Sequence, residues 1–593
     1  MTRVVWVGER AMCWDQQLLN RLLTGPAWRH EVYLDEHGPE IPPELGGEGA
    51  VVIVPARFHT AYEVSVMIAS LPWCVLVLTS DEESTFEHSA VNHPNMRMWV
   101  MTPRPGLHEP GPRYIGEGCA SVDELAEVNP ADEQLTPRRL DVQFAGQVTH
   151  ERRHQMWDAL SEALGPVARW TTSRTATEGF TQGMPRDEYL RELADSRVVL
   201  APSGPATPDS FRAYEAIEAG AVPIADGLCP GYPERGYWDL VYPEGVPFPV
   251  VHDWADELAK TVEYVLGDWQ RISNRCQAWW LERKRRLYDQ LVHDVLEVSG
   301  LSDPRHEQIT ALIPTSPTSG GRAEAYHRLH TTVQSVRDRL PEAEIIIMCD
   351  GVRPEQEHLR GEYEAYVGRV MWACQHEWTG VLPLISDHHA HQANMTRLAL
   401  EHVRTSCVLF VEHDMPLVGE IPFDAITAMV RSGFANVVRL GQDREREQYR
   451  DLMLDQEPAW WGADDGSVAY TDEVPYVRTV QWSQRPHVAS AGFYRQMLGS
   501  YFGTQSRTMI EDVMHGVVQN AWHRHGQAGW EQYRVVMYAP GGDEARSRHI
   551  DGRGEDPKFD MVYAYDGPVP EGAPAPTESV MERLRRGEHV DAE

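Results

Sequence analysis

The chain of 593 residues contains almost no lysine: Lys260, Lys284 and Lys558 are 3 of its 54 cationic side chains, and the rest are arginine. It is also short of positive charge, because 54 Lys and Arg face 89 Asp and Glu for a net charge of −35. Neutralising phosphates is what drives non-specific nucleic-acid binding, so this balance disfavours DNA as a partner. No stretch approaches the ~18 uninterrupted apolar residues of a membrane-spanning helix. The first eight residues enter a strand-like run at once, with no secretory h-region, and a cytoplasmic location is expected. The 8 cysteines show no CxxC spacing, which reads as a reduced chain without structural zinc. No GxGxxG follows the first strand, so a dinucleotide fingerprint is missing.

What is present reads as α/β. Hydrophobic residues at 42% and charged residues at 24% are ordinary globular values, and at ~150 residues per domain the length allows roughly four units. Short apolar runs alternate with helix-length segments, the pattern of parallel sheets. Residues 1–135 carry strands at 4–7, 51–54 and 74–78, with weaker ones at 96–101 and 114–115, and form a Rossmann-like half. Residues 136–300 form a second half, with strands at 140–146, 197–202 and 221–225, an Arg-rich helix at 151–164, a helix at 211–219 and a helical segment at 254–296. Residues 306–566 form a third region, with strands at 309–316, 344–349 and 407–411 and helices at 323–340 and 390–403. The Pro-, Gly- and Ala-rich residues 567–593 read as a flexible tail.

The chemistry concentrates in three places. Glu412-His413-Asp414 follows a buried strand directly, and ligands collect where parallel strands end. Two acids at this spacing suit one Mg²⁺ or Mn²⁺ bridging a diphosphate; a solvated turn is the competing reading. Upstream lie Asn394 and Arg397 on a helix, and two earlier strands end at Thr315 and at Asp350. His388, His389 and His391 have no fourth ligand at zinc spacing and read as a wet helix start. In the second place, a small-residue stretch at 487–494 precedes Glu511 and Asp512. The third is a loop with Ser203, Gly204 and Ser210 that leads into a helix bearing Arg212 and Glu215. Amides at a helix start suit a sugar-nucleotide diphosphate, Arg212 offers a fork for phosphate oxygens, and Glu215 can accept from ribose hydroxyls. An ordinary i, i+3 ion pair is the alternative.

The succession from Thr315 to Asp414 resembles family 2 glycosyltransferases and related GT-A enzymes. The resemblance implies that Thr315, Asp350 and Arg397 contact the donor nucleotide. It also implies that Asp414 and Glu412 hold Mn²⁺ or Mg²⁺, Glu412 standing where the family has Asp, and that His549 completes the metal site as in some relatives. Asp512, or alternatively Glu511, then deprotonates the acceptor hydroxyl, and the transfer inverts. The stretch 201–224 resembles the exostosin signature of GT-B glycosyltransferases. That implies a donor site at Ser203, Gly204, Ser210, Arg212 and Glu215, no bound metal, and an acceptor site in residues 1–135, where Glu9 and Asp81 end strands. The expectation is therefore a GT-B enzyme fused to a GT-A domain. It would be a bifunctional glycosyltransferase using nucleotide sugars, UDP-sugars foremost, on a protein or glycan acceptor. The arginine-rich, lysine-poor composition suits an actinobacteriophage type. A DNA glycosyltransferase acting on hydroxymethylated pyrimidines is one alternative; one active half beside a carbohydrate-binding or scaffolding half is another.

Overall fold

The structure, a computed structural model, describes residues 1–8, 14–25, 27–33, 44–81, 83, 85–101, 113–116, 124–125, 137–165, 169–177, 183–233, 235–303, 305, 308–316, 322–442, 445–462, 474–504, 508–541 and 544–550. The chain divides into two compact units, Met1–Asp303 with Val367–Thr379, and Pro304–Tyr366 with Gly380–Glu593. The segment Val367–Thr379 thus belongs to the first unit although the chain on either side belongs to the second. No helix among the described residues is long and apolar enough to cross a membrane.

The first unit holds two parallel sheets. One comprises β1 (Thr2–Val7), β2 (Trp28–Tyr33), β3 (Ala50–Pro55), β4 (Cys74–Thr79), β5 (Met96–Val100) and β6 (Arg113–Tyr114), in the order β2-β1-β3-β4-β5-β6. The other comprises β7 (Leu140–Gln147), β8 (Thr172–Thr177), β9 (Ser196–Ala201), β10 (Val222–Asp226) and β11 (Val250–Val251), in the order β11-β10-β9-β7-β8. In each, the chain lays its second strand to one side of the first and then builds toward the other. Neighbouring loops part at that switch and leave a crevice where ligands bind in open α/β sheets. Strands β3 and β4 are buried along their whole length, as continuous apolar runs covered on both faces should be.

The helical segment expected at 254–296 is two helices. Trp254–Gly267, capped by the Asp253 carboxylate on Ala255 N and Asp256 N, gives way to Trp269–Ser299 at Asp268, whose φ of −144° leaves the helical region. The 31-residue second helix ends at Gly300 in the left-handed region, φ 70°. Two buried carboxylates tie it to both sheets. Glu218 accepts from Trp280 Nε1 at 2.6 Å and Lys284 Nζ at 3.1 Å, and lies 3.7 Å from Arg21 Nη1. Asp294 accepts from Trp99 Nε1 at 2.9 Å and from Arg113 Nε and Nη2 at 2.7 Å each.

The second unit is built on a nine-stranded sheet. Its strands are β12 (Ile309–Thr315), β13 (Glu344–Cys349), β14 (Val381–Ile385), β15 (Cys407–Phe410), β16 (Val437–Leu440), β17 (Ala459–Trp461), β18 (Val474–Arg478), β19 (His487–Ser490) and β20 (Val535–Tyr538). The order is β14-β13-β12-β15-β19-β16-β20-β18-β17. Strands β12 to β15 run parallel, β19 is inserted antiparallel between β15 and β16, and β20 is parallel to β16. The C-terminal ends of β12–β16 and β20 therefore share one edge with the N-terminal end of β19.

Burial alone would raise the Glu218 carboxyl, but Lys284, Arg21 and the Trp280 indole N–H outweigh it and hold it below the ordinary glutamate value. Glu218→Ala should destabilise the protein by about 1–3 kcal/mol, because it leaves the half-buried Lys284 and Arg21 and the Trp280 indole N–H without their acceptor. Denaturant unfolding measures this, and a change under about 0.5 kcal/mol would remove the cluster from the stability account. A lowered carboxyl contributes stability that is present above the unfolded pKa and lost as pH falls through the folded one. Glu218→Gln should therefore flatten the acid limb of stability.

Candidate active sites

The shared edge of the second unit's sheet gathers most of the residues that the sequence marks there. Thr315 ends β12; its hydroxyl lies 2.9 Å from Tyr366 Oη, and its carbonyl accepts from Asp350 N at 3.1 Å. Asp350 follows β13 and is a loop anchor. Its carboxylate accepts from Gly351 N at 2.8 Å, Ala390 N at 2.7 Å and His391 N at 3.0 Å, and meets His389 Nδ1 at 2.9 Å. Burial would raise this carboxyl, but His389 and the amides hold it below the ordinary aspartate value. What these bonds secure is an unusual helix start, because His391 adopts φ 64°. A left-handed non-glycine residue costs about 1–2 kcal/mol. Burial, with His389 and Arg353 nearby, pushes the His391 imidazole down to about 4. Gly351 is required by the same loop, since a Cβ there would sit 2.3 Å from the His388 carbonyl carbon.

On the helix His391–His402, Arg397 donates to Asn394 Oδ1 at 2.7 Å, to Leu498 O at 3.1 Å and to Phe502 O at 2.7 Å. It thereby closes the C-terminal end of the helix Ala491–Tyr501.

The turn Glu412-His413-Asp414 is held from two sides. Thr332 Oγ1 donates to His413 O at 2.8 Å. The strap 546–550 runs alongside, with Ile550 N on Asp414 O at 3.0 Å, Arg548 N on Pro416 O at 3.2 Å and Val418 N on Arg546 O at 3.0 Å. This register brings His549 Nδ1 to 3.8 Å from Asp414 Oδ2. Asp414 is 8% exposed, and its Oδ1 is buried without a hydrogen-bond partner. An acid oxygen removed from water without a donor is costly; together with a nearby imidazole it forms a donor set that fits a divalent cation. Glu412 Oε1 accepts instead from Gln392 Nε2, at 3.2 Å.

Among the described residues, three candidate ligand atoms come within 4.8 Å of one another at His293, Asp294 and Glu297. There Asp294 is taken by Trp99 and Arg113, and Glu297 by Arg97 Nε at 3.0 Å, so that cluster is an ion-pair network.

Glu511 and Asp512 occupy the first turn of the helix Ile510–His525. Glu511 Oε2 accepts from Gln484 N at 3.1 Å. Partial withdrawal from water, and then the Glu511 charge, raise the Asp512 carboxyl, although its side chain faces solvent. Beneath them His487 is fully buried and pushed down to about 4 by burial. Its neutral ring donates from Nδ1 to Arg485 O at 2.8 Å and accepts the Tyr494 hydroxyl at Nε2, 2.5 Å away.

In the first unit the loop after β9 meets the loop after β7 at the sheet's switch point. Ser203 O accepts from His150 Nε2 at 3.0 Å and from Arg153 Nε at 2.9 Å. Burial, and then Arg153, lower the His150 pKa; its Nε2–H donates, and its Nδ1 lone pair is buried without a partner. Ser203 Oγ and Arg212 Nη1 are buried and unpartnered as well. Arg212 donates through Nε to Ala145 O at 3.1 Å and lies over the Phe144 ring at 5.6 Å. It passes so close to Gly146 that a Cβ there would be 2.3 Å from Nη2. Gly204 sits in this loop, and Ser210 caps the helix Phe211–Glu218, its Oγ accepting from Arg212 N at 3.4 Å. Glu215 is buried, with Tyr189 Oη at 2.7 Å and Arg186 Nη1 at 3.4 Å among its partners. Asp81 is buried beyond β4, accepting from Thr85 N at 2.8 Å and Phe86 N at 3.1 Å. Glu9 and the expected tail lie outside the described residues.

A family model described as the RXYLT1 C-terminal domain matches residues 124–299. No curated protein matches the chain. Among solved structures, AviGT4, a glycosyltransferase involved in avilamycin A biosynthesis, is similar at 16% identity over 51% of this chain and 99% of its own, with a TM-score of 0.31. TarS of S. aureus is similar at 12% identity over 40% of this chain, with a TM-score of 0.23, and the match spans only 36% of the TarS chain. The mannosyltransferase PcManGT from Pyrobaculum calidifontis, solved with GDP-Man and Mn²⁺, is similar at 12% identity over 47% of this chain and 69% of its own, with a TM-score of 0.27.

Three positions that the sequence does not mark belong to these sites: Gln392 and Gln484 in the second unit and His150 in the first. The amides carry no charge pattern. His150 could have been found from its place between a strand end and an Arg-rich helix start. For Asp350, replacement by Ala removes the acceptor of three backbone amides and should cost about 1–3 kcal/mol. Thermal unfolding checks this, and an unchanged Tm would show that the loop does not depend on the carboxylate.

Proposed function

We propose that the chain is a glycosyltransferase with a sugar-transfer site in each unit, each moving a sugar from a nucleotide-sugar donor to a hydroxyl acceptor. One observation carries this reading. The buried, unpartnered Asp414 Oδ1 beside His549 lies on the same sheet edge as the acid pair Glu511 and Asp512. In the GT-A-like second unit, Asp414 and His549 would hold Mn²⁺ or Mg²⁺, and the ion would supply positive charge for the departing nucleotide diphosphate. Asp512 takes the acceptor hydroxyl proton as that oxygen bonds to the anomeric carbon. The bond from that carbon to the diphosphate oxygen breaks on the opposite face, and the diphosphate leaves with the electron pair, so the transfer inverts. A carboxyl with a raised pKa is a better base near neutrality than an ordinary aspartate. Thr315 and the loop that Asp350 anchors frame the donor.

In the GT-B-like first unit, Ser203 Oγ and Arg212 Nη1 offer unused donors to a diphosphate, and His150 Nδ1 offers an acceptor to a hydroxyl. The exostosin-like stretch 201–224 lies within the family match over 124–299. UDP-sugars are the first donors to test, with a protein or glycan as acceptor in the cytoplasm of a host cell; the net charge of −35 keeps DNA second.

Hydrolysis and transfer from a panel of UDP- and GDP-sugars, with and without Mn²⁺, test the proposal on the full chain. Asp414→Ala should abolish the metal-dependent turnover, and Asp512→Asn should lower its kcat by about 10²–10⁴ with little change in KM. Arg212→Ala should spare that turnover and remove the metal-independent one. Because the Asp512 carboxyl is raised, the rate should fall with decreasing pH at a value above the ordinary aspartate range of ~3.9. Absence of turnover with every donor would sink the proposal.

A further inference from the structure

Gln392 joins the two acidic ends of the second unit's site. It is 8% exposed and stands in the first turn of the helix His391–His402. Its Oε1 accepts from Gln484 Nε2 at 3.1 Å and from Ile510 N at 3.0 Å. Two donors on one atom fix which end of the amide is oxygen, so Nε2 faces Glu412 Oε1 at 3.2 Å and donates to it. Gln484, 2% exposed, carries the chain of bonds onward, because its backbone N–H donates to Glu511 Oε2 at 3.1 Å. Ile510 is the residue directly before Glu511 and Asp512. One neutral side chain thus holds the carboxylate of the Glu412-His413-Asp414 turn and the start of the helix bearing the acid pair. An amide suits this position because it donates to one carboxylate and accepts from two N–H groups; no charged side chain does both.

We propose that Gln392 is a positioning residue for sugar transfer in the second unit, setting the Glu412 carboxylate and the Gln484–Glu511 junction in register with each other. The proposal rests on the sugar-transfer reading of this site. A group that orients reacting residues through hydrogen bonds affects turnover more than substrate affinity, and losing such a partner typically costs about 10–100-fold.

The informative variant is Gln392→Glu, which keeps an oxygen for Gln484 and Ile510 but loses the donor to Glu412. With Mn²⁺ and the UDP- or GDP-sugar on which the wild-type full chain turns over fastest, kcat should fall by about 10–100-fold. KM should stay within roughly threefold, whereas Tm should fall, because the new carboxylate is buried beside Glu412 without a cation. Gln392→Met, of similar volume and without charge, should lose kcat to a similar extent and melt lower, and it decides the matter if Gln392→Glu does not fold. A wild-type kcat in Gln392→Glu overturns the positioning role, as does a loss confined to KM. A wild-type chain that turns over no nucleotide sugar overturns the sugar-transfer reading instead, and this proposal with it.

Discussion

The constraint on which both units depend is the removal of carboxylates from water. Such a group is tolerated only when cations and N–H donors meet it closely. In the first unit Glu218, Asp226 and Asp294 are fully buried, and each joins elements distant in sequence. Glu218 faces Lys284 and Arg21, Asp294 takes both arms of Arg113, and Asp226 at the end of β10 accepts from Arg152 Nε at 3.1 Å. In the second unit Glu445 sits between Arg439 and Arg485, the latter at 2.8 Å; burial would raise its carboxyl, and the two guanidinium groups hold it low. A planar guanidinium reaches a carboxylate with several donors at once. The arginine bias therefore has a structural use inside this acidic chain.

The same accounting shapes the sites. Asp350 looks from its place in sequence like a ligand-binding acid, yet its oxygens already serve a loop and a strained helix start. Arg397 similarly serves the end of a neighbouring helix. On the shared edge of the second unit's sheet, Asp414 Oδ1 is unsatisfied and Asp512 is exposed, while a relay of neutral amides joins their neighbours Glu412 and Glu511. In the first unit, unsatisfied atoms of Ser203, Arg212 and His150 meet where the loops after β7 and β9 come together. Chemistry is most economically assigned to atoms that the fold has not already satisfied.

The sequence made the inner strands legible because their apolar runs are covered on both faces, as in β3, β4, β12 and β15. It made β2 and β8 hard to see for the opposite reason: both are edge strands whose Arg, His, Glu and Thr residues meet solvent. Strand β14 carries Pro383 and also lies at an edge, where a missing N–H does least harm. Among the site residues, those that end buried strands were visible, since parallel strands deliver them to one edge. Gln392 and Gln484 were not, because a neutral amide gains meaning only from its partners, and Gln392 meets Gln484 and Ile510 across 92 and 118 residues. The strap that carries His549 to Asp414 is held by backbone bonds, which leave no mark on composition.

Three of the buried carboxylates in the first unit share a partner type. Trp280 donates its indole N–H to Glu218, Trp99 to Asp294 at 2.9 Å and Trp254 to Asp226 at 3.1 Å. An indole bound to a carboxylate in a dry interior senses that charge directly. Nature has thus placed three of the chain's 19 tryptophans at the joints of this unit, where the loosening of a joint changes the surroundings of an indole without any label being added.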